Sequence, residues 1–149
     1  MKKILIIDDD KKSVAALAIR LRAAGHQVLQ AFDGFDGLQL AVQSRPDLIV
    51  LDIWMPGGVG VLIAQRLKHL GLAHVPVIFL TASKRNDLWE IAQEVDPAGF
   101  FEKPYDAKHV VEAINLILKS APYLAPEAGE WQPEMFPNGR EHSMAVPAP

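Results

Sequence analysis

The chain contains no cysteine, which excludes disulfides, thiol redox chemistry and any Cys-ligated zinc or iron–sulfur centre. A metal bound here must be held by oxygen. The histidines do not supply an alternative: His26, His69, His74, His109 and His142 do not pair at metal-ligand spacing on one helix face, and they read as surface residues. Long hydrophobic runs are also missing, since no stretch approaches the roughly 20 apolar residues of a membrane span. Met1-Lys2-Lys3 leads only into Ile4-Leu5-Ile6-Ile7 before three aspartates, too short a run for a signal-peptide core. The expectation is a cytoplasmic protein with no membrane association.

An excess of positive charge is absent as well. The 15 Lys+Arg and 18 Asp+Glu give a net charge of -3. Glu127, Glu130, Glu134 and Glu141 against Arg140 place that -3 beyond residue 119 and leave the body neutral. A neutral body without a basic stripe argues against nucleic-acid binding, which needs several Lys and Arg to replace counterions.

At 149 residues the chain is long enough for one core and too short for two ordinary domains. Apolar runs of strand length fall at 3–7, 27–31, 47–52, 76–81 and 98–102. Between them lie segments with helical spacing: Val14, Leu17, Ala18 and Leu21; Phe35, Leu38 and Val42; Val59, Leu62, Ile63 and Leu67; Leu88, Ile91, Ala92 and Val95; Val110, Ile114 and Ile117. Gly25, Pro46, Gly71 and Pro97 close the first four helical patterns, and Asp106 is placed to cap the fifth.

Such alternation implies right-handed crossovers and a parallel sheet with helices on both faces. The runs that start at 4, 48 and 77 are apolar throughout, as strands covered on both sides must be. Gln27-Val28-Leu29-Gln30 is half polar and reads as an edge strand. The predicted fold is therefore an α/β, five-stranded, doubly wound parallel sheet.

After Ser120 the character changes. Pro122, Pro126, Pro133, Pro137, Pro147 and Pro149 account for six of the 11 prolines, a density no strand or long helix tolerates. The plain reading is a disordered tail without an output domain. Tyr123, Leu124, Trp131, Met135 and Phe136, however, are more apolar than a solubilising tail requires, which favours packing of part of it against the body or a second copy.

Polar groups sit where the apolar runs stop. Asp8-Asp9-Asp10 follows the first, Asp52 the third, Thr81 the fourth and Lys103-Pro104 the fifth. In a parallel sheet these ends gather at one edge, so carboxylates, a hydroxyl and an ammonium would face one another, a set suited to a divalent cation and a phosphoryl group. Taken singly each has an ordinary explanation: the acidic triplet and Thr81 could cap helices, Asp52 could belong to the Met55-Pro56-Gly57-Gly58 turn, and Lys103 could be a solvated charge. The joint placement at four strand ends favours the site. Gly57-Gly58-Val59-Gly60 is too loose a pattern for a dinucleotide loop and reads as a turn.

Taken together, Ile-Ile-Asp8-Asp9-Asp10, Leu-Asp52-Ile-Trp-Met-Pro56, Leu-Thr81-Ala-Ser83 and Glu-Lys103-Pro104 resemble the receiver domain of bacterial response regulators, the CheY-like family, over residues 2–119. The resemblance implies a flavodoxin-like, doubly wound fold of strand order 2-1-3-4-5 and phosphorylation of Asp52 by a histidine kinase or phosphotransfer protein. It implies Mg2+ held by Asp9, Asp52 and the backbone carbonyl of Trp54, with Asp8 acting through water, and Lys103 and Thr81 on phosphoryl oxygens. It also implies a cis peptide before Pro104, a switch made by Thr81 and Phe100, and signalling to a downstream effector protein. Trp89, Phe100 and Glu102 are then the candidate partner face. The protein would be no enzyme beyond its own phosphorylation and dephosphorylation, and a monomer or weak homodimer.

Trp54 and Ser83 flank the acceptor in this scheme. An indole hinders an attacking water and a serine cannot orient one strongly, so slow self-dephosphorylation is expected. Two other classes share parts of the pattern. A magnesium-dependent phosphohydrolase needs an acid/base carboxylate just after its nucleophile, where Ile53-Trp54 stand. A flavodoxin-like FMN carrier needs a hydroxyl- and glycine-rich loop after the first strand, where Asp8-Asp9-Asp10 would repel phosphate.

Overall fold

The computed structural model describes residues 1–55, 58–82, 92 and 94–119. The elements are β1 (Lys3–Ile7), α1 (Lys11–Ala23), β2 (Gln27–Ala31), α2 (Gly34–Ser44), β3 (Leu48–Asp52), β4 (Trp54–Met55), β5 (Gly58–Val59), α3 (Gly60–Leu67), β6 (Val77–Thr81), β7 (Gly99–Glu102) and a C-terminal helix, Ala107–Lys119. The main sheet has the order β2-β1-β3-β6-β7, and its four pairings are all parallel. Counted over its five strands, that is the doubly wound order 2-1-3-4-5 expected from the sequence. The half-polar β2 is an edge strand, and β4 and β5 form a separate two-residue antiparallel ladder that the periodicity did not reveal.

Alternate residues of each strand feed opposite faces of the sheet, and this divides the core in two. Leu5, Ile7, Ile49, Leu51, Phe79 and Phe100 pack with Ala41, Ile63, Ala64 and Leu67 on one face. Ile4, Ile6, Leu48, Val50, Ile78, Leu80 and Phe101 pack with Val14, Leu17, Leu21, Val110 and Ile114 on the other. β3, apolar up to its last residue Asp52, is buried at every position because helices cover it on both sides.

Local chemistry sets the helix ends. Asp10 caps α1, its carboxylate accepting from Lys12 N at 3.1 Å, Ser13 N at 3.3 Å and Ser13 Oγ at 2.8 Å. The Ser13 hydroxyl and backbone bonds hold the Asp10 carboxyl below its usual range. Of the acidic triplet, this residue alone follows the capping explanation. Asp33 caps α2 through Asp36 N, and Asp106 accepts from Lys108 N at 2.9 Å in the first turn of the C-terminal helix. α3 runs on into a π-helical segment, Lys68–Leu72, broken at Gly71.

Three expectations are corrected. Of the expected α2 stripe only Leu38 packs against the core, partly buried: Phe35 is 77% exposed and Val42 42%, and Gly34, Gly37 and Ala41 are the buried residues. The reason is close approach, since a Cβ on Gly37 would lie 2.6–2.9 Å from three side-chain carbons of Ile7. In α3, Leu62 points outward at 57% exposure, while Val61, Ile63, Ala64 and Leu67 are buried. His26 is not a free surface residue, because its Nε2 lies 2.7 Å from Asn115 Oδ1 and joins the α1–β2 turn to the C-terminal helix. Among the described residues, His26 Nδ1 is the buried side-chain nitrogen or oxygen with no hydrogen-bond partner. The fourth helical pattern falls mostly on 83–91 and 93, outside the described residues; Ala92 and Val95 of it are buried.

Gly37→Ala tests the close packing of α2. An exposed helical Gly→Ala normally gains about 0.5–1 kcal/mol, whereas overpacking costs about 1–3 kcal/mol. The variant is expected to unfold at lower denaturant concentration than wild type; equal or greater stability by urea titration would show that α2 stands further from Ile7.

Candidate functional site

Register brings the strand ends together. Ile7 pairs with Leu51, Asp52 with Leu80 and Thr81 with Glu102, so Asp8, Asp52, Thr81 and Lys103 emerge at one edge of the sheet. Backbone bonds extend the ladder past the strands: Asp8 N donates to Ala31 O at 3.1 Å, Ile53 N to Leu80 O at 2.9 Å and Lys103 N to Thr81 O at 2.6 Å. These bonds fix where the polar side chains begin. The Lys103–Pro104 peptide is cis.

The chain beyond Asp52 folds back tightly, with Gly60 N donating to Ile53 O at 2.7 Å. A Cβ on Gly60 would fall 2.2 Å from the Asp52 carbonyl oxygen. Only glycine permits that approach. Sequence reasoning treated Gly60 as part of a turn and missed this role; a glycine opening an apolar helical run was the available signal.

Asp8, Asp52 and Thr81 are the buried polar residues here, at 1%, 4% and 2% exposure, while Asp9 is exposed. Each carboxylate is oriented through both oxygens. Asp8 Oδ1 accepts from Asp10 N at 3.0 Å and Oδ2 from Lys103 Nζ at 2.7 Å. Asp52 Oδ1 accepts from Trp54 N at 3.1 Å and Oδ2 from the same ammonium at 3.2 Å. One cation thus serves two buried anions.

That imbalance appears in the acid–base chemistry. Burial, reinforced by the negative charge of Asp8, pushes the Asp52 carboxyl up to about 6, against the opposing pull of Lys103 and Trp54 N. Burial also disfavours the Lys103 ammonium, but its hydrogen bond to Asp8 and the charges of Asp52 and Asp8 outweigh this, and its pKa is raised. Tyr105 is pushed up to about 12, by burial first and then by Asp8.

Carboxylate oxygens of Asp8, Asp9 and Asp52 all lie within 4.8 Å of one another. The donor set fits a hard, oxygen-liganded cation. Three hard anionic oxygens converge, and such an ion would offset the repulsion between Asp8 and Asp52 that adds to the effect of burial on Asp52.

Trp54 is 40% exposed beside Asp52, and Phe100 is 4% exposed, its ring tilted 57° against Phe79 at 6.4 Å between centroids. Phe100 therefore lies beneath the surface next to Glu102, which is half-buried. Trp89 and Ser83 lie outside the described residues.

An α/β sheet carrying convergent carboxylates and a lysine at its C-terminal edge defines a doubly wound domain with an anion-rich, cation-accepting site. A family model described as "Response regulator receiver domain" matches residues 4–115, and the chain belongs to that family. It is 34% identical over 119 residues to Protein PilH of Pseudomonas aeruginosa, covering 79% of this chain and 98% of that protein. Sporulation initiation phosphotransferase F of Bacillus subtilis is 32% identical over 117 residues, covering 78% of this chain and 94% of its own length. The DNA-binding dual master transcriptional regulator RpaA of Synechocystis is 37% identical over 122 residues, or 80% of this chain, but the match spans 50% of RpaA. The chain thus spans about half the length of RpaA. Among solved structures, the receiver domain of the Francisella response regulator 1452 superposes with a TM-score of 0.74 at 26% identity, covering 80% of this chain and 98% of that domain.

The raised Asp52 pKa gives a stability prediction. The native state holds this proton up to about pH 6, whereas an unfolded aspartate releases it near pH 3.9. Stability is therefore lost as pH rises from about 4 to 6, by on the order of 2 kcal/mol. Without divalent cations Asp52→Asn is expected to melt above wild type at pH 7.5, with the gap closing toward pH 4 and Mg2+ raising wild type more than the variant. A constant gap across that range would count against a raised Asp52.

Proposed function

We propose that the chain is a phosphoacceptor response regulator of a two-component or phosphorelay system, with residues 1–119 as receiver and 120–149 as a tail. The observation that carries this reading is the Lys103 ammonium shared by buried Asp8 and Asp52. A carboxylate is a weak nucleophile, and it can be phosphorylated when the donor is already high in energy. A phosphohistidine on a histidine kinase or phosphotransfer protein meets that need. An Asp52 oxygen forms the new P–O bond as the P–N bond breaks, and the departing imidazole nitrogen keeps the electron pair and takes a proton. No general base is required.

Mg2+ is the cation that suits the donor set, with Asp9, Asp52 and the Trp54 carbonyl as ligands and Asp8 acting through water. When bound it neutralises phosphoryl charge. Lys103 holds its ammonium at the Asp52 oxygen and is placed to transfer it to a phosphoryl oxygen, and Thr81 offers its hydroxyl to another. Release of Asp8 and Asp52 from Lys103, and movement of Thr81 and of buried Phe100, then form the switch. Phosphorylation biases it only through contacts that differ between the two states.

Output is by protein contact with a downstream effector, through the surface around Trp89, Phe100 and Glu102. The neutral body supports neither nucleic-acid nor membrane binding, and among the described residues no helix is long and apolar enough to cross a membrane. A cytoplasmic monomer or weak homodimer, catalysing only its own phosphorylation and dephosphorylation, fits these features.

Incubation with acetyl phosphate and Mg2+ should add one phosphoryl group to wild type by intact mass and none to Asp52→Asn, and chelation should abolish the adduct. An unmodified wild-type mass would sink the assignment. Exposed Trp54 is expected to shield the phosphoaspartate from water, so wild type should hold its phosphoryl group longer than Trp54→Asn. Equal half-lives would remove Trp54 from that role.

A further inference from the structure

The acidic triplet runs directly into two lysines. Asp8-Asp9-Asp10 is followed by Lys11 and Lys12, so the first ammonium belongs to a residue only two positions beyond Asp9. Lys11 opens α1, whose first turn holds no acidic residue, and a cation there meets the unfavourable end of the helix dipole. An exposed ammonium in that position has reason to turn back onto the nearest free carboxylate.

That carboxylate is Asp9. Asp10 is engaged in capping α1, and Asp8 shares Lys103 with Asp52. Asp9 is exposed, and a carboxylate oxygen of it lies within 4.8 Å of oxygens of Asp8 and Asp52. Among the described residues the ion pairs are Lys68–Asp96 and the two made by Lys103, so Lys11 does not take Asp9.

Phe32 takes Lys11 instead. The Lys11 Nζ stands 5.4 Å from the centroid of the Phe32 ring, within the range of a cation–π contact. The backbone anchors the ring beside the site: Phe32 directly follows Ala31, whose carbonyl accepts from Asp8 N at 3.1 Å, and it precedes Asp33, the N-cap of α2. Phe32 thus belongs to the β2 side of β1, whereas Asp52 comes from β3 on the other side. An ammonium drawn to Phe32 is drawn away from Asp52.

The competition is even enough for one ring to decide it, because an exposed ion pair and an exposed cation–π contact are of similar strength. An ammonium on Asp9 would occupy a ligand oxygen of a divalent cation and repel that cation as well. Phe32 supplies the alternative.

We propose that Phe32 is a positioning residue for the cation site: it holds the Lys11 ammonium off Asp9 and keeps that carboxylate available to a divalent cation. The inference rests on the reading of Asp9 as a Mg2+ ligand.

Mg2+ titration of the full-length chain, followed by the NMR shifts of the backbone amides of residues 8–10 and 52–54, tests it. Phe32→Leu keeps an apolar side chain and removes the ring face, and it is expected to weaken Mg2+ binding about two- to fivefold. Lys11→Met should bind Mg2+ more tightly than Phe32→Leu does. Adding Phe32→Leu to Lys11→Met should change nothing further, because no ammonium remains to be released. In metal-free wild type the ring should shift the Lys11 Cε protons upfield, and Phe32→Leu should abolish that shift. If wild type binds Mg2+ and Phe32→Leu binds it equally well, the role of Phe32 is overturned and the Mg2+ site stands. An equal weakening in the Lys11→Met background would overturn it too, since the ring would then act through its loop and not through the lysine. A wild type whose amides do not respond to Mg2+ would remove the site itself and the inference with it.

Discussion

Lys103 holds together the part of this protein on which the rest turns. Its ammonium meets Asp8 at 2.7 Å and Asp52 at 3.2 Å, and both carboxylates are buried. Two buried anions without that cation would face the full cost of desolvation and mutual repulsion. One cation for two anions leaves the site short of positive charge, and burial first, then the charge of Asp8, raise the affinity of Asp52 for a proton. A site in that state takes up further cationic charge readily.

That ion cluster depends on the sheet. Asp8, Asp52 and Lys103 follow three different strands, and a shift of one residue in any pairing would turn a side chain to the other face. Register is held because β1, β3 and β6 are buried on both faces, so each strand has a single placement that satisfies both halves of the core. The helices press close where glycine allows it. Gly37 lets α2 lie against Ile7, and Gly60 lets α3 start against the Asp52 carbonyl, which ties the first turn of α3 to the strand carrying the central carboxylate.

The two edges of the sheet have different chemistry for a topological reason. Parallel strands joined by crossovers deliver every strand end to one edge and every helix end to the other. Polar loops with converging donors collect at the first, where Asp8, Asp9, Asp52, Thr81 and Lys103 stand. Small and aliphatic residues collect at the second, where α3 loosens into a π-helical segment around Gly71 and leaves a cavity above Val77.

Much of this was legible in one dimension. Wholly apolar runs identify strands covered on both sides, the half-polar run at Gln27–Ala31 identifies an edge, and the α1 stripe of Val14, Leu17, Ala18 and Leu21 is buried as its spacing implies. The ends of the apolar runs locate Asp8, Asp52, Thr81 and Lys103, and the family resemblance is the source of the roles proposed for them. What the sequence could not determine was distance. Phe35 and Val42 form a better apolar stripe than Gly34, Gly37 and Ala41, yet the glycines face the sheet, because closeness to Ile7 outweighs the hydrophobicity of α2 taken alone. His26 and Asn115 are far apart in the chain and become partners only when α1 and the C-terminal helix pack side by side. Periodicity records which residues avoid water, and so it yields elements, their sequence along the chain and the edge where the acids gather; the burial of Asp52 that raises its pKa, and the sharing of one ammonium between two carboxylates, depend on separations of a few ångströms that only the packed chain decides.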